Sequence, residues 1–161
     1  MRIRVLFDPN VDPYGSGYHV IQSKIAIGSG GFFGKGLFAG TQSQLNFLPE
    51  NHTDFIFSVV GEELGFVGAM FLLFLFFIVL YRTLLIARNT TDRFGSLMAV
   101  GIMSMWLFQV LINAGMTLGI MPVTGIPFPF MSYGGSALVM NFLCVGLLMN
   151  IFMRRQKLLF E

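Results

Sequence analysis

The chain has 161 residues, 55% of them hydrophobic and 11% charged, with 19 Phe, 11 Met and a net charge of +2, and a mean hydropathy of +0.74. This composition lies outside the habits of a soluble domain and points to a membrane protein. Its basic residues do not interleave with aromatics along a groove, which excludes nucleic acid as a partner, and its single cysteine, Cys144, excludes an intrachain disulfide.

The opening residues, MRIRVLFDPNVDPYGSG, reach Asp8 and Pro9 before any apolar core forms and do not have the form of a signal peptide. Residues 8 to 50 are rich in Gly, Pro and Asn. Within them GYHVIQSKIAIG has the pattern of a short amphipathic helix in the interface, with Val20, Ile21, Ile25 and Ile27 on its apolar side. The next run, GSGGFFGKGLFAG, looks like a phosphate loop but fails the test, which asks for Gly at the position of Ser29 and Ser or Thr at that of Gly36. It reads instead as a flexible loop with interfacial phenylalanines.

The stretch NHTDFIFSVVGEELG, residues 51 to 65, then places acids directly before the most apolar segment. Pro49 precedes Asn51, and Asn51 to Asp54 has the spacing of an N-cap and its reciprocal partner, which predicts a helix start here. Continued along that helix, Asp54, Ser58, Gly61, Glu62, Gly65 and Gly68 form a narrow stripe of acids and small residues. Such a stripe permits close packing of another helix, or the approach of a substrate head group to Asp54. Asp54 is therefore either a favourable charge at a helix N-terminus, worth about 0.3 to 1 kcal/mol, or a reagent at the membrane surface. Glu62 and Glu63 come about 12 Å further along an ideal helix. An acid at that depth faces a partner or water, so a buried hydrogen bond or ion pair is the expected role of Glu62.

Three spans follow, at about Leu64 to Tyr81, Gly95 to Leu118 and Ser136 to Met153. Between Arg93 and Arg154 there is no charged residue at all. Arg82, Arg88 and Arg93 separate the first two spans, and Arg154, Arg155 and Lys157 follow the third, so the positive-inside tendency makes both segments cytoplasmic. Residues 1 to 63 and the loop near 119 to 135 are then extracytoplasmic, residues 64 to 153 form the membrane domain, and residues 154 to 161 a cytoplasmic tail. An external N-terminal segment, an odd number of spans and no signal sequence together predict further membrane helices upstream. In the loop GIMPVTGIPFPFMSYGGSAL, Pro122, Pro127 and Pro129 prevent a continuous helix and Gly134-Gly135 permits close backbone approach. Irregular backbone at this depth is buried in protein or lines a wet cavity, and a cavity wall is expected here.

GYHVIQSKIAIGSGGFFGKGLFAGTQSQLNFLPENHTDFIFSVVGEELGFVG, together with GIMPVTGIPFPFMSYGGSAL, resembles the SEDS (shape, elongation, division and sporulation) family of bacterial cell-wall polymerases. The GTQSQLNFLPE wording is similar to its elongation branch rather than its division branch. The resemblance implies an all-α membrane fold of roughly ten helices, each a crossing of about 20 residues, of which this chain matches the last large external loop and the final three helices. It implies a peptidoglycan glycosyltransferase that polymerises lipid II outside the cytoplasmic membrane, beside a class B penicillin-binding protein of the elongation complex.

Asp54 matches the essential acid of the family's HTDFIF motif, and a positioned carboxylate suits general-base chemistry on a sugar hydroxyl. His52 and Thr53 match the same motif, as substrate contacts or as helix-start residues. Ser132, Tyr133, Gly134, Gly135 and Ser136 match the second motif, with cavity shaping or substrate binding implied. The leaving diphosphate needs positive charge, for which Lys24 and Lys35 are the local candidates, or a divalent cation (Mg or Mn) held by Asp54 with the substrate phosphates. The rival readings are a flippase for lipid-linked precursors and a non-catalytic scaffold. A proton-driven transporter would hold ionisable groups near the bilayer midplane, where the last two spans have none, and a scaffold would tolerate loss of Asp54.

Overall fold

A computed structural model describes residues 16–36, 40 and 54–154. Among these the chain is all helical, with α1 at Ser16–Gly30, α2 at Ile56–Glu63, α3 at Gly65–Asn89, α4 at Arg93–Thr117 and α5 at Gly135–Arg154. Helices α3, α4 and α5 are long and apolar enough to cross a membrane. Their outward faces carry large exposed hydrophobics such as Phe71, Phe74, Phe77, Phe108, Phe142 and Leu143, apolar surface suited to lipid or to further membrane helices.

The first span does not stop at Tyr81 but runs on to Asn89. A charge does not end a helix at a membrane edge, because the long stems of Arg82 and Arg88 can lie along apolar surface while their heads reach water. The helix ends where Thr90 turns extended, and α4 restarts two residues earlier than Gly95 because Asp92 caps it, accepting from Phe94 N at 3.2 Å and Gly95 N at 3.0 Å. At the core of the three spans, Ala87, Ala99, Ile102, Trp106 and Leu148 pack together. The indole of Trp106 donates to Asn141 Oδ1 at 2.8 Å, tying α4 to α5 where neither polar group can reach water.

Helix α1 packs inward through a face of mostly small residues. Val20, Ser23, Ala26 and Gly30 are buried, whereas Ile21 and Ile25 face outward. The small residues win because α1 runs parallel and close to α2: Ser23 meets Ser58, Ile27 lies against Gly61, and Gly30 abuts the backbone of Gly61 and Glu62. The run 31–36 is also not the free loop that its glycines suggest. Its backbone is stitched to the α2–α3 junction through Lys35 N to Glu62 O (3.1 Å), Gly36 N to Glu63 O (3.0 Å), Phe66 N to Gly31 O (2.9 Å) and Val67 N to Phe32 O (3.1 Å). Gly34 (φ +77°) and Gly65 (φ +68°) cross so closely that a Cβ on Gly65 would overlap the Gly34 nitrogen. This crossing breaks the helix at Leu64, so the stripe expected from Asp54 to Gly68 is two helices rather than one. The phenylalanines Phe32 and Phe33 remain exposed.

The segment between α4 and α5 folds inward. Phe128 is buried, stacked on Phe57 and edge-on to Phe76, and Phe130 packs on Phe76, Trp106 and Phe142. Around Phe128 the irregular backbone is thus packed into protein, which meets the demand that such backbone be shielded from lipid.

Candidate active site

Helix α2 begins at Ile56 with Phe55 as its N-cap residue, and Asp54 stands one residue further out, in a turn. The start expected at Asn51 is therefore displaced, with Asn51 itself outside the described residues. Tertiary contacts account for this. Phe55 is 2% exposed and wedged against Ala26 and Val123, while the Asp54 carbonyl accepts from Asn113 Nδ2 at 2.9 Å instead of from a helical N–H. The first backbone bond of the new helix is Ser58 N to Phe55 O, at 2.9 Å.

Asn113 is fully buried near the end of α4, and its Nδ2 makes a second bond, to Ile126 O at 2.8 Å. One side-chain amide thus joins three segments: α4, the turn before α2 and the α4–α5 loop. The neighbour of Ile126, Gly125, has φ +74°, and a Cβ there would stand 3.1 Å from Asp54 Oδ2. The loop consequently passes directly beside the carboxylate at the position where it has least bulk. Asp54 is half-buried.

Below this turn, Ser23 Oγ donates to Thr117 O at 2.7 Å and lies 2.6 Å from Ser58 Oγ. With the Ser23 proton committed to the carbonyl, the Ser58 hydroxyl is the donor of the second bond. These buried hydroxyls fix α1, α2 and the end of α4 to one another directly under Asp54. Lys24, the next residue of α1, is exposed and extends across Gly119 at the start of the α4–α5 loop.

Lys35 lies elsewhere. Its ammonium is 2.9 Å from Oε1 of the fully buried Glu62, at the far end of α2, roughly 12 Å along the helix from the Asp54 end. Glu63 is partly buried and contributes its backbone carbonyl to Gly36 N. Ser132 is buried and folds back on its own loop, accepting from Phe128 N at 2.7 Å and donating its N–H to Phe128 O at 3.1 Å. Tyr133 is 83% exposed. Gly134 supplies the carbonyl that receives Leu138 N at 2.9 Å, and Gly135 and Ser136 open α5 on the surface. His52 and Thr53 fall outside the described residues.

Among the candidates, then, Asp54 and Lys24 border the same α4–α5 loop, while Lys35, Glu62 and Glu63 form a separate structural joint. The sequence reading passed over Asn113 and Gly125. An amide in an otherwise uncharged span and a glycine among prolines were the available signals, but neither named its partner.

The family model described as Cell cycle protein, covering FtsW, RodA and SpoVE, matches residues 1–157. The chain is 53% identical over 157 residues to the peptidoglycan glycosyltransferase MrdB of Escherichia coli strain K12, covering 98% of this chain and 42% of that protein. It is 49% identical to the peptidoglycan glycosyltransferase RodA of Treponema pallidum, covering 94% of this chain and 35% of that protein. Against the stage V sporulation protein E of Bacillus subtilis the identity is also 49%, with 93% of this chain and 41% of that protein covered. The chain thus spans less than half the length of these relatives. A structure described as coordinating polymerization and crosslinking by a peptidoglycan synthase complex matches with a TM-score of 0.75 and 38% identity, over 97% of this chain and 42% of that one. The rod shape determining protein RodA of Thermus thermophilus matches with a TM-score of 0.64 and 29% identity, over 97% of this chain and 55% of that one.

Proposed function

Because the chain belongs to the FtsW/RodA/SpoVE family of cell-cycle proteins, we propose that it carries the general base of a peptidoglycan glycosyltransferase, and that this base is Asp54. The whole protein would polymerise lipid II during cell elongation, at the extracytoplasmic face of the bacterial cytoplasmic membrane, beside a class B penicillin-binding protein that cross-links the strands. The observation that supports this reading most is the seat of Asp54: a half-buried carboxylate held by its own backbone outside the helix, with a glycine at its flank.

The chemistry is a displacement at an anomeric carbon. A sugar hydroxyl oxygen bonds to that carbon as the bond to the polyprenyl diphosphate breaks, the bonding pair leaves with the diphosphate, and the hydroxyl proton passes to the Asp54 carboxylate. Charge grows on the diphosphate as it departs, and a cation placed there lowers the barrier. Lys24 is the lysine on the Asp54 side of the molecule, whereas Lys35 is committed to Glu62. Among the described residues no group of three or more His, Cys, Asp or Glu could hold a metal ion. A divalent ion travelling with the diphosphate would take Asp54 and the phosphates as ligands, and no step above is routed through it. His52, Thr53, Tyr133, Gly134, Gly135 and Ser136 are assigned to contacts with the bound saccharide, and Ser132, folded back on Phe128, to shaping that segment.

The test in cells is replacement of the protein by its Asp54→Asn form at matched membrane level. Loss of rod shape with the penicillin-binding partner still bound is the expected result. Normal rods would instead identify the protein as a scaffold whose acid is dispensable.

A further inference from the structure

We infer that Asn113 is a positioning residue for Asp54, a side-chain rivet that sets the carboxylate against the Gly125 segment; this rests on the reading of Asp54 as general base. An amide inside an apolar helix is retained at a cost, since every polar atom taken from water needs a partner. Here both donors of one nitrogen are spent on carbonyls from two separate segments, Asp54 O at 2.9 Å and Ile126 O at 2.8 Å. The two acceptors also fix which end of the amide is nitrogen, because the reversed amide would face oxygen with oxygen. Asn113 Oδ1 is buried with no hydrogen-bond partner, so the orientation is held by the two carbonyls alone.

The geometry points to catalysis more than to general stability. Helix α4 is already joined to α1 through the Ser23 bond to Thr117 O, and to α5 through the Trp106 bond to Asn141. The Asn113 bonds act instead on two pieces of irregular backbone, and those two pieces bring Asp54 Oδ2 next to Gly125. Without the rivet the turn loses its hydrogen-bonded tie to the loop and keeps only the apolar packing of Phe55 on Val123 between them, and a displacement of about 1 Å in a reacting group can cost on the order of 100-fold in rate.

The experiment is lipid II polymerisation by the full-length protein with its penicillin-binding partner, recorded as kcat and KM for wild type, Asn113→Ala, Asn113→Gln, Asp54→Asn and the Asn113→Ala/Asp54→Asn pair. Thermal unfolding is measured on each. Expected is a fall in kcat of ~10- to 100-fold for folded Asn113→Ala, with KM moved less than ~3-fold. Partial recovery is expected in Asn113→Gln, which keeps the donors, and the double variant should be no worse than Asp54→Asn. If alanine at 113 prevents folding, Gly125→Ala perturbs the same carboxylate from the loop side and is expected to lower kcat in the same way. A folded Asn113→Ala with wild-type kcat, or a loss that only follows the folded fraction, overturns the inference while an inactive Asp54→Asn leaves the general base standing. A fully active Asp54→Asn overturns the reading beneath it.

Discussion

Replacing Lys35 by methionine removes the ammonium 2.9 Å from a carboxylate that has no solvent exposure. Breaking a buried ion pair from one side costs about 3 to 5 kcal/mol, because the remaining charge stays desolvated. The Lys35 side chain is 29% exposed, so water reaches the pair and the low end, about 3 kcal/mol, applies. The full-length relatives are more than twice as long as this chain, and because the unfolding entropy grows with length, about 1 to 2 °C per kcal/mol applies, so apparent Tm should fall by about 3 to 6 °C. The assay is thermal unfolding of the full-length protein in detergent, with Lys35→Met, Glu62→Met and the double variant measured together. The double variant should recover much of the loss, since two apolar side chains replace two charges in one place. Additive losses, or a Lys35→Met shift below about 2 °C, would refute the claim that this pair holds the 31–36 run to the α2–α3 junction.

Two further perturbations follow from the packing. Gly65→Ala puts a Cβ into the Gly34 backbone at a positive φ, and should lower the yield of folded protein more than Gly28→Ala, whose added Cβ meets nothing within 4 Å; equal yields would contradict the crossing. Ser23→Ala removes the hydroxyl that links Ser58 to Thr117 O and should cost about 1 to 3 kcal/mol in thermal unfolding, since Thr117 O then loses its side-chain donor in a buried site.

The spans were legible because apolar length alone marks them, and the sixty uncharged residues from Phe94 to Met153 leave few alternatives. Their ends were less so: Arg82 and Arg88 look like stops but remain helical, and the real stop is the Thr90 to Asp92 turn with its cap. The inward face of α1 was not legible, because hydrophobicity marks Ile21 and Ile25, which face outward, whereas close approach to α2 selects Ser23, Ala26 and Gly30. Local capping chemistry likewise put the α2 start too early, since Asn113 takes the Asp54 carbonyl from 59 positions away. Asp54 could be picked out by its motif. Its surroundings could not, because positions 54, 113 and 125 meet only in the folded chain.

The most direct test of the central claim is lipid II polymerisation in vitro by the full-length protein, with a penicillin-binding partner that has no polymerising activity of its own, comparing Asp54 with Asp54→Asn at equal folded concentration. With lipid II supplied directly, no transport step is needed. The account predicts glycan strands from the wild type and none from Asp54→Asn while partner binding is retained. Strands formed at the wild-type rate by Asp54→Asn would reduce Asp54 to a turn residue and contradict the account.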